Sequence, residues 1–351
     1  MAAGTLAGRA RPRPDPSAAT RHATTGVVVA LGLAFLVAGA VWDLCIGASG
    51  MSPAAVLHAL AGPASSISHQ IVWTIRMPRV LLAAIVGGTM AVSGVIMQGA
   101  AANPLAAPDI VGVSAGAALV GVAGTVIFTS LSGTALVLAS IGGAAAAAFC
   151  VIGIAGAGQG RTGTARLALA GVTVTAMLLA LTQAVLLLHQ TGTAGVFFWL
   201  VGGVNFASWH DITTVAPWAA AGMTGAMLLA RPLNILALGE DTARGLGLNV
   251  TRIRIIGVLC TVCLAGSAVA VAGPIAFVGL IVPHIVRLLV GTNHLVVIPV
   301  SGLLGAALVT LADVACRYVQ FPFETPTGVV TALLGTPFFI YLARSQARRT
   351  R

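Results

Sequence analysis

Cys260-x-x-Cys263 has the spacing of a redox pair or half a metal site, but both thiols lie in an apolar stretch, where they read as ordinary small packing residues. Other candidates for chemistry are sparser. All 18 basic side chains of the Lys/Arg class are arginine, so there is no P-loop lysine for a nucleotide and no amine for a Schiff base. An H-E-x-x-H run for zinc is absent. Ser93 and His189 are the types a membrane serine protease needs, with nothing in the sequence to pair them. His284, between Pro283 and Arg287, reads as structural rather than as a metal ligand. Asp43, Asp109, Asp313 and Arg287 fall near the ends of apolar runs, whereas proton- or sodium-driven carriers place carboxylates at depth. No catalytic residue, metal set or cofactor site is expected. The chain reads as one that moves something, with its energy source elsewhere.

The elements that position these residues follow from composition. Of 351 residues, 58% are hydrophobic and 7% charged, with a mean hydropathy of +1.01. Soluble domains carry roughly 25% charged residues, which excludes a cytosolic enzyme, a disordered protein and a nucleic-acid binder. The expected fold class is an all-α polytopic membrane protein with about ten transmembrane helices. The candidate spans are roughly 26–46, 80–100, 110–129, 133–157, 165–188, 210–230, 254–272, 275–290, 295–315 and 327–343. Residues 1–25 read as a disordered cytoplasmic tail, 26–343 as the transmembrane domain and 344–351 as a basic cytoplasmic tail. The break at Ala272-Gly273-Pro274 is expected to sit in protein rather than lipid. Glycines at 87, 88, 94, 112, 116, 121, 302 and 305 suit close helix packing.

An even number of spans puts both termini on one side. With both inside, every arginine but Arg76, Arg79 and Arg317 falls in an inner segment, a positive-inside pattern. The net charge of +10 then needs anionic membrane lipid and no nucleic acid.

Four stretches stand out. Arg76-Met77-Pro78-Arg79 and Arg317 break the charge rule outside; they either snorkel to lipid or, if close in the fold, form a basic patch for acidic residues of a partner. The inner turn Gln98–Asp109 carries Asn103, able to bond freed backbone, and Leu105, a residue type for a gate. The inner loop 231–254 holds Leu238-Gly239-Glu240-Asp241-Thr242-Ala243-Arg244-Gly245-Leu246-Gly247. There an i,i+4 Glu240/Arg244 pair supports a short helix that lies on lipid or, as favoured, docks a partner. The fourth is Gly273–Arg287 with Asp313, Arg317 and Glu324–Phe339.

Together these stretches resemble the permeases of iron–siderophore, haem and cobalamin ABC importers, the type II, ten-span class. The matching runs are R-x-P-R at 76–79, S-G…M-Q at 93–98, N-P-L-A-x-P at 103–108, G-V-x-x-G-A at 112–117 and L-G-E…A…L-G at 238–247. The last three are G-P-I-x-F-x-G-L-x-x-P-H-x-x-R at 273–287, A-D…R at 312–317 and E-x-P-x-G…T-A…G-x-P-F at 324–338. The resemblance implies a dimer of permease chains, identical or related, with two cytoplasmic ATPase subunits and an external binding lipoprotein that delivers a metal chelate, a ferric siderophore before haem or cobalamin. It implies that Arg76, Arg79 and Arg317 receive acidic residues of the binding protein. It implies that Leu238, Gly239, Glu240, Ala243, Leu246 and Gly247 couple to the ATPase, and that Asn103 and Leu105 gate a path near spans 5 and 10. The alternative is a stand-alone secondary carrier without an ATPase.

Overall fold

The computed structural model describes residues 16–47, 50–63, 66–128, 131, 133–156, 164–189, 194–319 and 324–349, and every regular element among them is helical. Helix α1 (Pro16–Cys45) starts with a proline, which needs no partner for a missing N–H at a helix start. It thus begins inside the segment expected to be irregular. Two short helices follow, α2 (Pro53–Ala61) and α3 (Ile67–Gln70), capped by the hydroxyls of Ser52 and Ser66.

A π segment, Ile71–Arg76, runs directly into α4 (Met77–Ala100). Its wide turn has a local cause. Pro78 has no N–H to offer the carbonyl of Thr74, and the Met77 N–H reaches back five residues to Val72. Arg76 and Arg79 leave this junction three residues apart, on one face.

The chain continues through α5 (Val113–Val126), α6 (Gly133–Gly156), α7 (Thr164–Leu188), α8 (Ala194–Val201) and α9 (Trp209–Leu236). Helix α9 opens with a capping box. Asp211 N–H donates to Ser208 Oγ at 3.3 Å, and Ser208 N–H to Asp211 Oδ2 at 2.9 Å. Then come α10 (Glu240–Gly245), α11 (Val250–Thr261), a second π segment, α12 (Ser267–Ala272), α13 (Val278–Val290), α14 (His294–Val319) and α15 (Thr327–Arg349). Seven long apolar helices and the shorter apolar stretches Val113–Val126, Val278–Val290 and Thr327–Leu342 occupy the ten expected spans. The basic residues after 343 continue α15 to Arg349 instead of forming a separate tail.

Helix α4 is the pillar, the most deeply buried of the long helices. Lipid offers no hydrophobic gain for helix association, so contact must come from close backbone approach. A Cβ at Gly94 would sit 1.8 Å from the carbonyl oxygen of Gly279 on α13, and one at Gly87 would sit 2.2 Å from that of Gly305 on α14. From Arg79 to Ala100 the pillar rises roughly 30 Å at about 1.5 Å per residue, the thickness of a bilayer core. At its lower-numbered end gather Trp73 and Trp209, whose rings stack at 6.2 Å, and Trp42, which donates to Tyr318 Oη at 3.0 Å. Such aromatic residues mark a membrane–water interface.

The break between α12 and α13 is in protein, as expected. Gly273 takes φ +67° there, and a Cβ would sit 1.9 Å from the carbonyl oxygen of Trp199. Gly203 N–H donates to Ala272 O, and Gly328 N–H to Gly202 O, both at 2.8 Å, tying the break to the start of α15.

Candidate functional site

The aromatic end of the pillar carries an ion cluster. Arg79 Nε donates to Asp313 Oδ2 at 2.7 Å and its Nη2 to Asp313 Oδ1 at 3.1 Å, while Nη1 holds Glu324 Oε2 at 2.8 Å and Oε1 at 2.9 Å. Arg317 pairs with Asp43 and with Asp313, the latter at 3.3 Å, and donates to the carbonyl of Ile46 at 2.7 Å. Arg76 donates to the carbonyl of Leu44. Thr327 Oγ1 completes the ring on Asp313 Oδ1 at 2.9 Å. Helices α1, α4 and α14, the segment leading into α15 and the first residue of α15 thus meet through Arg79, Arg317, the carboxylates of Asp43, Asp313 and Glu324, and the Thr327 hydroxyl, with Arg76 beside them on the Leu44 carbonyl.

The structure brings together the three arginines that the sequence left 241 residues apart at the extremes (Arg76 to Arg317). It corrects their expected setting: they are 4%, 5% and 7% exposed, Arg79 and Arg317 are paired with carboxylates of their own chain, and Arg76 donates to a backbone carbonyl. Burying these charges unpaired is prohibitive, and mutual neutralisation is what permits it. Sequence reasoning missed Asp43, Asp313 and Glu324 as partners. The available signal was balance, since each acid sits near the same span ends as the arginines.

At the other end of α4 the chain turns through Ala102, φ +48°, into Asn103. Asn103 Oδ1 accepts from the Leu105 N–H at 3.0 Å, bonding freed backbone as the sequence suggested. Leu105 lines a cavity of about 540 Å³ with Asp109, Ser114, Thr175, Gln183 and Phe339. The cavity lies between α5, α7, the α12–α13 break and α15, next to the fifth and tenth spans. Its wall is chiefly apolar, with hydroxyl and amide groups at intervals. Asp109 accepts from Ser114 Oγ; burial pushes this carboxyl up from its ordinary value, and the Ser114 bond pulls the other way.

Beyond the same end lies α10. Ala243 is fully buried against its neighbours, whereas Leu238 and Leu246 are 65% and 64% exposed. Gly239, φ +110°, and Gly247, φ +83°, make the turns on either side. Glu240 pairs with Arg244, the expected i,i+4 contact, and also with Arg254, Nη2 to Oε2 at 2.9 Å. No local pattern in the sequence points to that second arginine.

Of the remaining candidates, His284 stacks edge-on with Phe338 at 5.7 Å, a structural contact. Cys263 Sγ lies 3.3 Å from the carbonyl of Trp218. Among the described residues no three His, Cys, Asp or Glu side chains are grouped to hold a metal ion.

Comparison with known proteins adds four findings. The sequence pattern of the FecCD transport family matches residues 34–345. The Fe(3+)-citrate import system permease protein YfmD of Bacillus subtilis (strain 168) is 42% identical over 328 residues, 93% of this chain and 97% of the relative. The iron(3+)-hydroxamate import system permease protein FhuB of the same organism is 41% identical over 93% of this chain and 85% of its own. A solved structure described as an inward-facing metal-chelate type ABC transporter superposes with a TM-score of 0.78 at 28% identity, over 91% of this chain and 99% of that one. The fold is that of a type II ABC importer permease.

Proposed function

The chain belongs to the FecCD transport family, a family of multi-pass membrane permeases, and from that premise we propose that it is the membrane-spanning subunit of an ATP-driven importer for a ferric chelate. The observation that carries the proposal is α10. It is a short helix beyond the inner end of the pillar, fixed by Ala243 and presenting Leu238 and Leu246 outward. Two exposed leucines flanking a short helix outside the spans fit a groove on a soluble partner, and the sequence has no P-loop lysine with which to hold a nucleotide itself. Leu238, Gly239, Glu240, Ala243, Leu246 and Gly247 are the contact with a cytoplasmic ATPase, one per permease chain. Two permease chains enclose the path, whose wall is the cavity beside α7 and α15, gated by Asn103 and Leu105.

The outer cluster is the meeting point with an external binding protein. Support for this comes from its place at the opposite end of the pillar and from Glu324. That side chain is 48% exposed, so an acidic residue arriving from outside can take its place on Arg79. Both termini lie in the cytoplasm. The cargo belongs with the citrate and hydroxamate chelates that the two relatives are named for.

Purification from the native membrane in mild detergent, followed by intact mass spectrometry, tests the assembly. Two ATPase copies per two permease chains are expected. A permease that emerges alone, under conditions that preserve known assemblies, favours the stand-alone carrier instead. Uptake of radioactive iron offered as ferric citrate and as a ferric hydroxamate separates the two cargo classes.

A further inference from the structure

Arg254, in the second turn of α11, belongs to none of the motifs that carry the family likeness, yet it joins two of the sites above. Its Nε donates to the carbonyl oxygen of Ala100 at 3.1 Å, and its Nη2 to Glu240 Oε2 at 2.9 Å. Ala100 is the last residue of α4, and Glu240 is the first of α10. One planar guanidinium therefore spans from the partner-facing helix to the pillar's inner end, 154 residues away in sequence from Arg254 itself.

The carbonyl it holds has a reason to need it. Were α4 to continue, the Ala100 oxygen would accept from residue 104, but Pro104 has no N–H. A cation at a helix C-terminus is also favoured by the helix dipole. Helix α11 lies close enough for this contact because Gly257 faces α4; a Cβ there would meet Ile96 at 3.3 Å and Ala100 at 3.4 Å. Half a turn earlier, α4 is anchored separately, as Gln98 Nε2 donates to the carbonyl of Gly279 at 3.2 Å and Arg287 holds the other end of the Gln98 amide. Between that anchor and the cavity, the last turn of α4 leads straight into Asn103 and Leu105.

We infer that Arg254 is the positioning residue that carries a displacement of α10 to the Asn103–Leu105 turn. This rests on reading α10 as the ATPase contact. When α10 moves, Glu240 moves with it, and the guanidinium drags the Ala100 carbonyl against the fixed point at Gln98. The gate turn, not the body of the pillar, takes up the motion.

The test needs no cargo. In the complex purified with its ATPase, with the native cysteines replaced by alanine, Ala102→Cys places a thiol at the gate turn, where Ala102 is exposed. Its rate of labelling by a water-soluble maleimide is measured before and after trapping with ATP and vanadate, and trapped nucleotide is counted alongside. With Arg254 in place the rate changes several-fold on trapping. With Arg254→Gln the same nucleotide is trapped and the rate stays put. Arg254→Lys, which reaches one partner but not both, gives a partial response and carries the test should the glutamine variant assemble poorly. An equal response in native and Arg254→Gln complexes overturns the role of Arg254 alone. No response in either overturns the ATPase-driven reading, and this inference with it.

Discussion

Glu324 is the one carboxylate of the outer cluster that water reaches in quantity, and its attachment rests on Arg79 alone among the contacts described for it. If an incoming acid displaces it, Glu324→Gln removes the competitor while Asp313 keeps Arg79 in place. Docking of the external binding protein, measured by surface plasmon resonance on the reconstituted complex, should tighten severalfold and become more sensitive to salt. Weaker or unchanged docking would count against the exchange. Arg79→Gln is a different experiment. It leaves Asp313 buried beside fewer cations and is expected to cost about 3–5 kcal/mol of stability, seen as early thermal unfolding in detergent, before any docking can be read. At this scale the sequence was half legible. The arginines were visible because they violate the positive-inside rule. Their partners were not, because Arg79 and Asp313 are 234 positions apart and no local pattern links them.

Among the elements, α10 is set apart by a division of labour within six residues: Ala243 inward, with Leu246 just past the end facing outward. Leu246→Asp leaves the fold of the spans untouched, since the side chain is exposed, but places a charge in the proposed ATPase groove. The expected outcome is loss of ATPase from the purified complex with an unchanged melting profile of the permease; retention of both ATPase copies would return α10 to the lipid surface. The short spans α5 and α13 were legible despite their length, because glycine and proline punctuate them. The two π segments were not. Both interrupt continuous apolar runs, the first beside Pro78, and hydropathy does not register a change from i+4 to i+5 bonding. Asn103 was legible because Asn before Pro in a turn bonds its own backbone, whereas Arg254 looked like one more inner-side arginine.

For the whole molecule, ten apolar helical stretches in order and the crowding of arginines away from the aromatic end support the proposed orientation, with both termini in the cytoplasm. Fluorescent protein fused to either terminus should fold and shine, and alkaline phosphatase fused there should stay inactive; activity of the phosphatase at either end would reverse the assignment. The architecture was readable from composition because a bilayer admits so few backbone solutions. The cavity was not, since its wall draws on five separated parts of the chain. The outer cluster has one more consequence, for the order in which the chain is made. Asp43 and Arg317, which meet in the finished protein, lie 274 residues apart. At roughly 5–20 residues per second of synthesis, α1 waits on the order of 15–50 s for its counter-charge. Through that interval Asp43 and Arg79 sit at the edge of the bilayer without the acid and base of α14. A ribosome stalled before residue 313 should therefore leave a chain whose first two spans lack these counter-charges and that the membrane's quality-control proteases remove.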